Sequence, residues 1–322
     1  MFKLPGDIFD NAFNGLGVNL QKKINALVPP YGPPWNITFP TVSWRNDTVV
    51  LIHLQDFLTF DELGNCIELK HIENHFGELS NRVIVIHWNI DLASVYSGPL
   101  HLIYFPTHSY DILQQIKEQE NNWKPVINNS ARTTNWQCLN GTPRRHRELI
   151  VHYLQENYNN GVISLGTKIP LEEWSFRNYI GCDNLENWLH LLRVYSRCKI
   201  NIVTETEYYQ YPGLITEKTL MAFLGLQIPI VIGYPGIVRH CQDLGFDMFE
   251  DIVDLSYDEM PNVNRWQKAI DLNRKIINGD INYTQLLDRL MANQDYVLNK
   301  WPKLLIEQFN NNVRDTVEYL RR

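Results

Sequence analysis

Residues 199–233 have the sequence KINIVTETEYYQYPGLITEKTLMAFLGLQIPIVIG, and this stretch decides the fold class. Its first part is rich in β-branched residues, which predicts a buried strand over Lys199–Thr206. Thr216 is a good N-cap for the apolar residues that follow it, so a helix is predicted to begin there. Pro229–Ile232 is predicted as a second buried strand. A helix between two such strands is typical of a parallel βαβ unit, whose ligands bind beyond the carboxyl ends of the strands.

Three charged residues fall at that edge, namely Glu205, Glu217 and Lys218. A cation in the first turn of a helix opposes the helix macrodipole, so a bound anion such as a phosphate would explain Lys218. The alternative is an exposed lysine with its charge in water. The two glutamates could accept hydrogen bonds from the ribose hydroxyls of a nucleotide. Their alternatives are a solvated carboxylate at a strand end and a favourable acid in a first helical turn.

A second basic turn lies earlier in the chain, in CLNGTPRRHRELIVHYL at residues 138–154. The pattern predicts a strand, a turn at Asn140 and a helix. The start of that helix carries three arginines: Arg144, Arg145 and Arg147. Such a cluster is unfavourable at a helix N-terminus unless an anion or carboxylates lie nearby. The alternative is an exposed basic turn paired with surface acids. Because Lys218 has a like position in the same predicted domain, the two turns together favour a diphosphate site.

The pattern along the chain predicts two successive α/β domains. The first contains three predicted strands, Thr48–Leu54, Arg82–Trp88 and Leu100–Phe105, and ends near Ile127. A helix is also predicted over Asp7–Val28, because Leu20, Ile24 and Leu27 belong to one helical stripe of apolar residues. The second domain contains the two basic turns, and a helix over Pro302–Arg321 closes the chain. Two domains of this kind suggest a cleft in which a substrate binds.

A general base would come from the carboxyl ends of the strands in the first domain. Asp56 follows the first of these strands, and His87 and Asp91 lie at the end of the next one. These three are the predicted catalytic candidates. The alternative for each is an ordinary loop residue.

Composition argues against an extended nucleic-acid-binding face and against a membrane-spanning protein. The chain has 44% apolar residues and a net charge of −7, which argues against an extended basic face for nucleic acid, although not against a local one. No apolar run approaches the ~20 residues of a membrane span, and the N-terminus lacks a signal-peptide pattern, so a cytoplasmic location is predicted, in the host if a phage encodes the chain. Five scattered cysteines without a CxxC pair are predicted to be reduced and buried.

Motif searches narrow the chemistry further. His71 and His75 have a spacing that can chelate a metal, but HIENH lacks the glutamate of HExxH, so we interpret the pair as surface residues. Neither GxxxxGK[ST] nor GxSxG occurs, so nothing indicates a P-loop enzyme or a serine hydrolase.

The segments NIVTET at 201–206 and LITEKTLMAFLGLQIPIVIG at 214–233 resemble the donor-binding core of the fucosyltransferase-type glycosyltransferases. In that family a strand ending in Glu precedes a Thr-Glu-Lys helix start, and the next strand is rich in Pro, Val and Ile. CLNGTPRRHR at 138–147 and GFDMFEDIVDLSYDE at 245–259 are similar to stretches in glycosyltransferase-like proteins of tailed phages. These similarities run from about residue 136 to residue 259 and leave the first domain unmatched.

The resemblance implies a GT-B fold, which has two Rossmann-like α/β domains. The implied spans are 1–127 for an acceptor-side domain, 128–300 for a nucleotide-sugar-binding domain and 301–322 for a C-terminal closing helix. It also implies inverting transfer without a metal or other cofactor. By position, Glu205 matches the glutamate at the strand end, and Glu217 and Lys218 match the pair that binds ribose and phosphate. Leu214 replaces a usual tyrosine, so neither fucose nor GDP is predicted in particular.

The predicted function is therefore sugar transfer from a nucleotide-diphosphate sugar to a hydroxyl of an acceptor, either a glycan or a modified nucleic acid. The predicted donor site has eight residues: Asn140, Arg144, Arg145, Arg147, Glu205, Thr216, Glu217 and Lys218. Two alternatives stay open. One is a transferase that acts on hydroxymethylated bases of phage DNA, and the other is a non-catalytic binding protein with a GT-B-like fold.

Overall fold

The computed structural model describes residues 19–26, 48–54, 65–89, 92–166, 189, 191–192, 194–209, 215–260 and 264–320. The chain divides into two compact units, one made of Met1–Asp111 with Pro302–Arg322 and the other of Ile112–Trp301. These units do not test the predicted domain boundaries at 127 and 300, which stay predictions.

The first unit contains a four-stranded parallel sheet of order β1-β2-β3-β4. The strands are β1 (Asn19–Ala26), β2 (Thr48–Leu54), β3 (Val83–His87) and β4 (His101–Tyr104). Helix α1 (Ile67–Phe76), a 3₁₀ turn (Gly77–Arg82) and helix α2 (Leu92–Val95) connect them. All five residues of β3 are buried, as expected for a parallel strand covered on both faces. The predicted strands at 48–54, 82–88 and 100–105 are confirmed within one or two residues.

The predicted helix over Asp7–Val28 is wrong where the structure describes it, because β1 occupies Asn19–Ala26 and pairs in parallel with β2. The helix was predicted from the four-residue spacing of Leu20 and Ile24, and such a spacing does not by itself exclude a strand. Pairing with β2 decided between the two, with a register irregularity between Leu20 and Lys23. The remainder of the predicted helix lies outside the described residues.

The second unit contains another four-stranded parallel sheet, of order β6-β5-β7-β8. Its strands are β5 (Thr134–Asn140), β6 (Gly161–Leu165), β7 (Cys198–Thr204) and β8 (Ile228–Ile232). Its helices are α3 (Thr107–Glu118, which begins in the first unit), α4 (Glu120–Asn129), α5 (Arg145–Asn157), α6 (Glu217–Leu224), α7 (Ile237–Asp243), α8 (Arg265–Leu272), α9 (Arg274–Ile277) and α10 (Leu287–Asp295). A 3₁₀ turn (Tyr283–Leu286) precedes α10, and a π-helical turn (Tyr296–Lys300) follows it.

Where the structure describes it, the stretch 199–233 folds as its sequence predicts, with residues 210–214 outside the described ranges. Strand β7, helix α6 and strand β8 form a parallel βαβ unit, and every residue of β8 is buried. Strand β8 is the last strand of the described sheet, where a proline is tolerated because its missing N–H can face away from the neighbouring strand. Pro229 is therefore compatible with this position.

Helix α11 (Trp301–Leu320) closes the described chain. Its buried residues Leu305, Phe309, Val313 and Val317 recur every four positions and form one apolar face. The ring of Phe309 lies 5.0 Å from that of Phe105, centroid to centroid, within the first unit.

The two parallel sheets with their helices confirm the predicted α/β class. The finer prediction of two Rossmann-like domains in a GT-B arrangement stays a prediction. The four cysteines that the structure describes, Cys66, Cys138, Cys198 and Cys241, are free and buried, as predicted. Within the described ranges, no helix combines the length and the apolar character that crossing a membrane requires.

Candidate functional site

The carboxyl edge of the second sheet brings the two predicted basic turns together. Strands β5 and β7 are neighbours and end at Asn140 and Thr204. The Thr204 hydroxyl donates a hydrogen bond to the Asn140 side-chain oxygen, which joins the two strand ends directly. Helices α5 and α6 begin after these ends, so their N-termini lie at the same edge. Asn140 is 1% exposed, and its side chain also donates to the Cys138 sulfur at 3.4 Å. Its side chain therefore contacts both its own strand, β5, and the end of β7.

Glu205 holds the start of helix α6. Its carboxylate accepts hydrogen bonds from the backbone N–H of Thr216 at 3.0 Å, the Thr216 hydroxyl at 2.5 Å and the Thr219 hydroxyl at 2.6 Å. The residue is 0% exposed. A carboxylate at a helix N-terminus is favourable, because it satisfies N–H groups that have no partner within the helix. Ribose binding by Glu205 would require this buried carboxylate to become accessible, and that role stays a prediction.

Thr216 is the N-cap of α6, as predicted, and its hydroxyl accepts from the backbone N–H of Lys218 at 3.4 Å. The side chain of Lys218 donates to the Glu217 carboxylate at 2.7 Å and is 23% exposed. Neighbouring residues in a helix face different directions, so this pair keeps Lys218 folded back over the helix start. Lys218 is thus a partly exposed cation in the first turn of α6, as predicted, and it is paired with the carboxylate of Glu217.

Arg147 is the unusual member of the cluster because its charge is buried. It is 2% exposed, and its guanidinium donates to the carbonyl oxygens of Thr142 at 3.0 Å and Thr204 at 3.1 Å. Its Nε has no hydrogen-bond partner, and no described carboxylate forms an ion pair with it. Burial, and then the nearby Arg144, lower the pKa of Arg147, while Glu205 and Glu217 raise it. Arg147 therefore places a buried positive charge at this edge without a direct ion pair among the described residues, and the carboxylates of Glu205 and Glu217 lie close enough to stabilise it.

The other two arginines are at the surface. Arg144 is the N-cap of α5, and its side chain is 40% exposed, 3.9 Å from the Glu207 carboxylate. Burial raises the pKa of Glu207, so its negative charge is less stable than that of an exposed glutamate. Its ion pair with Arg144 is weakened accordingly. Arg145 is exposed and makes no ion pair with any described residue. The contacts at this edge therefore connect seven of the eight predicted donor residues, whereas the side chain of Arg145, the first residue of α5, is exposed and makes none of them.

Sequence reasoning missed a buried stack beside this cluster. The rings of His146 and Tyr208 are stacked with centroids 5.2 Å apart, and the Arg265 guanidinium lies 4.7 Å from the centroid of the Tyr208 ring. Arg265 also donates to the carbonyl oxygens of Tyr208 and Gly233. These contacts fix the segment that follows β7. RRHR carries no signal for this burial, since His146 and Arg147 are buried whereas Arg144 and Arg145 are exposed.

The buried imidazole of His146 predicts acid sensitivity. Burial lowers the pKa of His146 to about 4, below its ordinary value of 6.5, and its Nε2–H donates to the carbonyl of Glu205 at 3.1 Å. Between these two pKa values the unfolded chain binds a proton that the folded chain does not, so acidification favours unfolding. We expect the free energy of unfolding to fall by about 2–3 kcal/mol from this group as the pH drops from 7 to 4.

Urea unfolding at a series of pH values measures this contribution. His146→Gln can still donate to the Glu205 carbonyl but cannot titrate, so its stability should depend less on pH over that interval. His152→Gln is the matched control, because His152 lies on the same helix with 74% of its side chain exposed. Equal pH dependence in wild type and His146→Gln would refute the buried neutral imidazole.

Of the three predicted catalytic residues, only His87 is among the described residues; Asp56 and Asp91 lie outside them. His87 is 1% exposed at the end of β3, and burial lowers its pKa to about 3. Its ring centroid lies 6.3 Å from that of Tyr104. A base closed to solvent with such a pKa would have to be uncovered before it could accept a proton from a substrate. Its catalytic role stays a prediction.

Over the part of the chain that the structure describes, no three His, Cys, Asp or Glu side chains are grouped closely enough to hold a metal ion. His71 and His75 are both exposed, which confirms the interpretation of the pair as surface residues. The His75 ring also contacts the Phe76 ring, with centroids 4.9 Å apart.

Comparison of structures, and not comparison of sequences, found a similar known protein. No protein-family model matches the sequence, and no curated protein matches it. A crystal structure of an alpha1,3-fucosyltransferase is similar with a TM-score of 0.36 and 18% sequence identity, over 76% of this chain. The chain covers 66% of the length of that protein.

Proposed function

We propose that this protein is a glycosyltransferase that moves a sugar from a nucleotide-diphosphate sugar to a hydroxyl group of an acceptor. The observation that carries the proposal is the buried guanidinium of Arg147, which has no ion pair among the described residues and lies at the carboxyl edge of a parallel sheet. Ligands of open α/β sheets bind at that edge, and helix N-termini there favour phosphate groups.

The donor diphosphate would contact the two partly exposed cations of the cluster, Arg144 and Lys218. Arg147 lies behind them and anchors the turn through the carbonyl of Thr142, so it acts as a positioning residue that also contributes positive charge. When the bond between sugar and diphosphate breaks, negative charge grows on the leaving diphosphate. Fixed cations stabilise that charge without reorganising at the moment of reaction. In this proposal they supply what a divalent cation supplies in other transferases, so transfer needs no metal.

The acceptor hydroxyl must lose its proton as it attacks the sugar. Asp56, His87 and Asp91 remain the candidates for this base, and the GT-B arrangement of two Rossmann-like domains remains part of the proposal. The resemblance of residues 201–233 to the fucosyltransferase-type donor core supports the same donor class. It does not specify the sugar or the nucleotide.

Isothermal titration with GDP, UDP and CMP and their sugars tests the donor class. We expect one nucleotide family to bind, and Lys218→Ala to weaken that binding by about tenfold, since a hydrogen bond to a charged group contributes about 1.5–3 kcal/mol. Lys268→Ala is the matched control, because Lys268 is an exposed lysine of helix α8 in the same unit. The proposal fails if none of these compounds binds, or if Lys218→Ala binds as tightly as the wild type.

A further inference from the structure

A cavity in the second unit lies at the amino end of its sheet, opposite the carboxyl edge that carries the proposed donor site. It has a volume of about 450 Å³, and its lining includes Arg132, Lys199 and Tyr283. Lys199 is the second residue of β7, whereas Thr204 at the proposed donor site is the last. With about 3.3 Å of rise per residue, about 17 Å separates their Cα atoms. The cavity is therefore distinct from the cluster at the carboxyl edge.

The charges in this cavity have one sign. Among the residues that the structure describes, Arg132 and Lys199 are the charged residues of the lining, and no described aspartate or glutamate lines it. The side chain of Lys199 forms no hydrogen bond or ion pair with any residue in the described ranges, and it is partly buried. Two cations without a carboxylate repel each other, and that arrangement becomes favourable when an anion lies between them.

Arg132 is held in a fixed position. Its guanidinium donates to the carbonyl oxygens of Tyr195 at 2.8 Å and Ile127 at 3.2 Å, and it lies 5.8 Å from the centroid of the Tyr283 ring. The Tyr283 hydroxyl in turn donates to the carbonyl of Leu226 at 2.6 Å. Since these contacts are already made, a ligand would meet a rigid cation and would not have to order it.

The other polar groups of the lining suit hydroxyl groups. Asn282 and Thr284 line the cavity, and no hydrogen bond of either side chain occurs with the described residues. A carboxamide can donate and accept, as can a hydroxyl, so both match the hydroxyls of a sugar. The volume lies within the range of about 300–1,000 Å³ that is typical of small-molecule sites and exceeds what a single inorganic anion needs.

We propose that this cavity binds a small polyhydroxylated molecule that carries one anionic group, either a phosphate or a carboxylate. Arg132 and Lys199 bind the anionic group, and Asn282 and Thr284 bind the hydroxyls. The ligand belongs to the class of sugar phosphates and sugar acids. This site does not depend on the proposed transferase activity.

Isothermal titration with glucose 6-phosphate, glucuronate, inorganic phosphate and glucose tests the proposal on the full chain. We expect the two sugar anions to bind more tightly than phosphate, and glucose to bind weakest. The better binder of the two identifies the anionic group. Lys199→Gln should weaken binding of that compound by about tenfold or more. Lys268→Gln, an exposed lysine of the same unit, should leave it unchanged.

The Lys218→Ala variant distinguishes this cavity from the proposed donor site, since it should bind the sugar anion as the wild type does. Full sugar-anion binding in Lys199→Gln, or loss of that binding in Lys218→Ala, would overturn the proposal. Absence of binding by both sugar anions, or equal binding of phosphate and glucose 6-phosphate, would overturn it as well. None of these results bears on nucleotide binding at the other edge.

Discussion

Glu205→Ala is expected to lower the free energy of unfolding by about 3–5 kcal/mol, because it leaves a set of buried donors without their acceptor. The carboxylate accepts the backbone N–H and the hydroxyl of Thr216 and the hydroxyl of Thr219, and it is 0% exposed. After truncation none of these donors can reach water without movement of the helix start. The small cavity left by the side chain adds to the loss.

Urea unfolding of two further variants separates this effect from a general loss of charge. Glu205→Gln keeps the shape and one acceptor oxygen, so it should lose about 1–2 kcal/mol. Glu156→Ala removes a carboxylate that is 60% exposed in the same unit, and it should change the stability by less than about 0.5 kcal/mol. If Glu205→Ala were no less stable than Glu156→Ala, the carboxylate would not be the acceptor that holds helix α6.

The elements that could be predicted from sequence are those whose local pattern and tertiary pairing agree. In residues 199–233 the β-branched runs, the N-cap Thr216 and the apolar helix all indicate the same βαβ unit, and the structure contains it. At residues 19–26 the spacing of the apolar residues predicted a helix, but pairing with β2 decided the outcome. Which distant segments pair as neighbouring strands is difficult to predict from a single sequence.

In the candidate site, too, the sequence predicts part of the arrangement and not the rest. Helix starts and strand ends identify which residues lie at the edge, and seven of the eight predicted donor residues meet there. The pattern does not reveal which of them is buried. Arg145 and Arg147 looked equivalent in RRHR, yet one is exposed and the other is 2% exposed. The difference arises because helix α5 turns Arg147 and His146 toward the end of β7, where they meet the carbonyls of Thr204 and Glu205.

That burial makes Arg147 the residue whose replacement should most affect nucleotide binding. A charge at an effective dielectric constant of about 20 interacts with a unit charge about 6 Å away by about 3 kcal/mol, which corresponds to roughly 100-fold in affinity. The same charge at the surface is worth a fraction of this because water and salt screen it. We therefore expect Arg147→Met to bind a nucleoside diphosphate about 100-fold more weakly than the wild type, measured by isothermal titration.

Arg145→Gln is the matched control, since Arg145 lies two residues away and is exposed, and its affinity should stay within about threefold of the wild type. Arg147→Lys keeps the charge but loses the planar fork that reaches Thr142 and Thr204, so its affinity should fall between those of the wild type and Arg147→Met. Circular dichroism and urea unfolding establish that each variant is folded at the temperature of the titration. If folded Arg147→Met binds the diphosphate as tightly as Arg145→Gln does, then the buried charge of Arg147 does not act on the ligand, and the exposed cations Arg144 and Lys218 alone account for the binding.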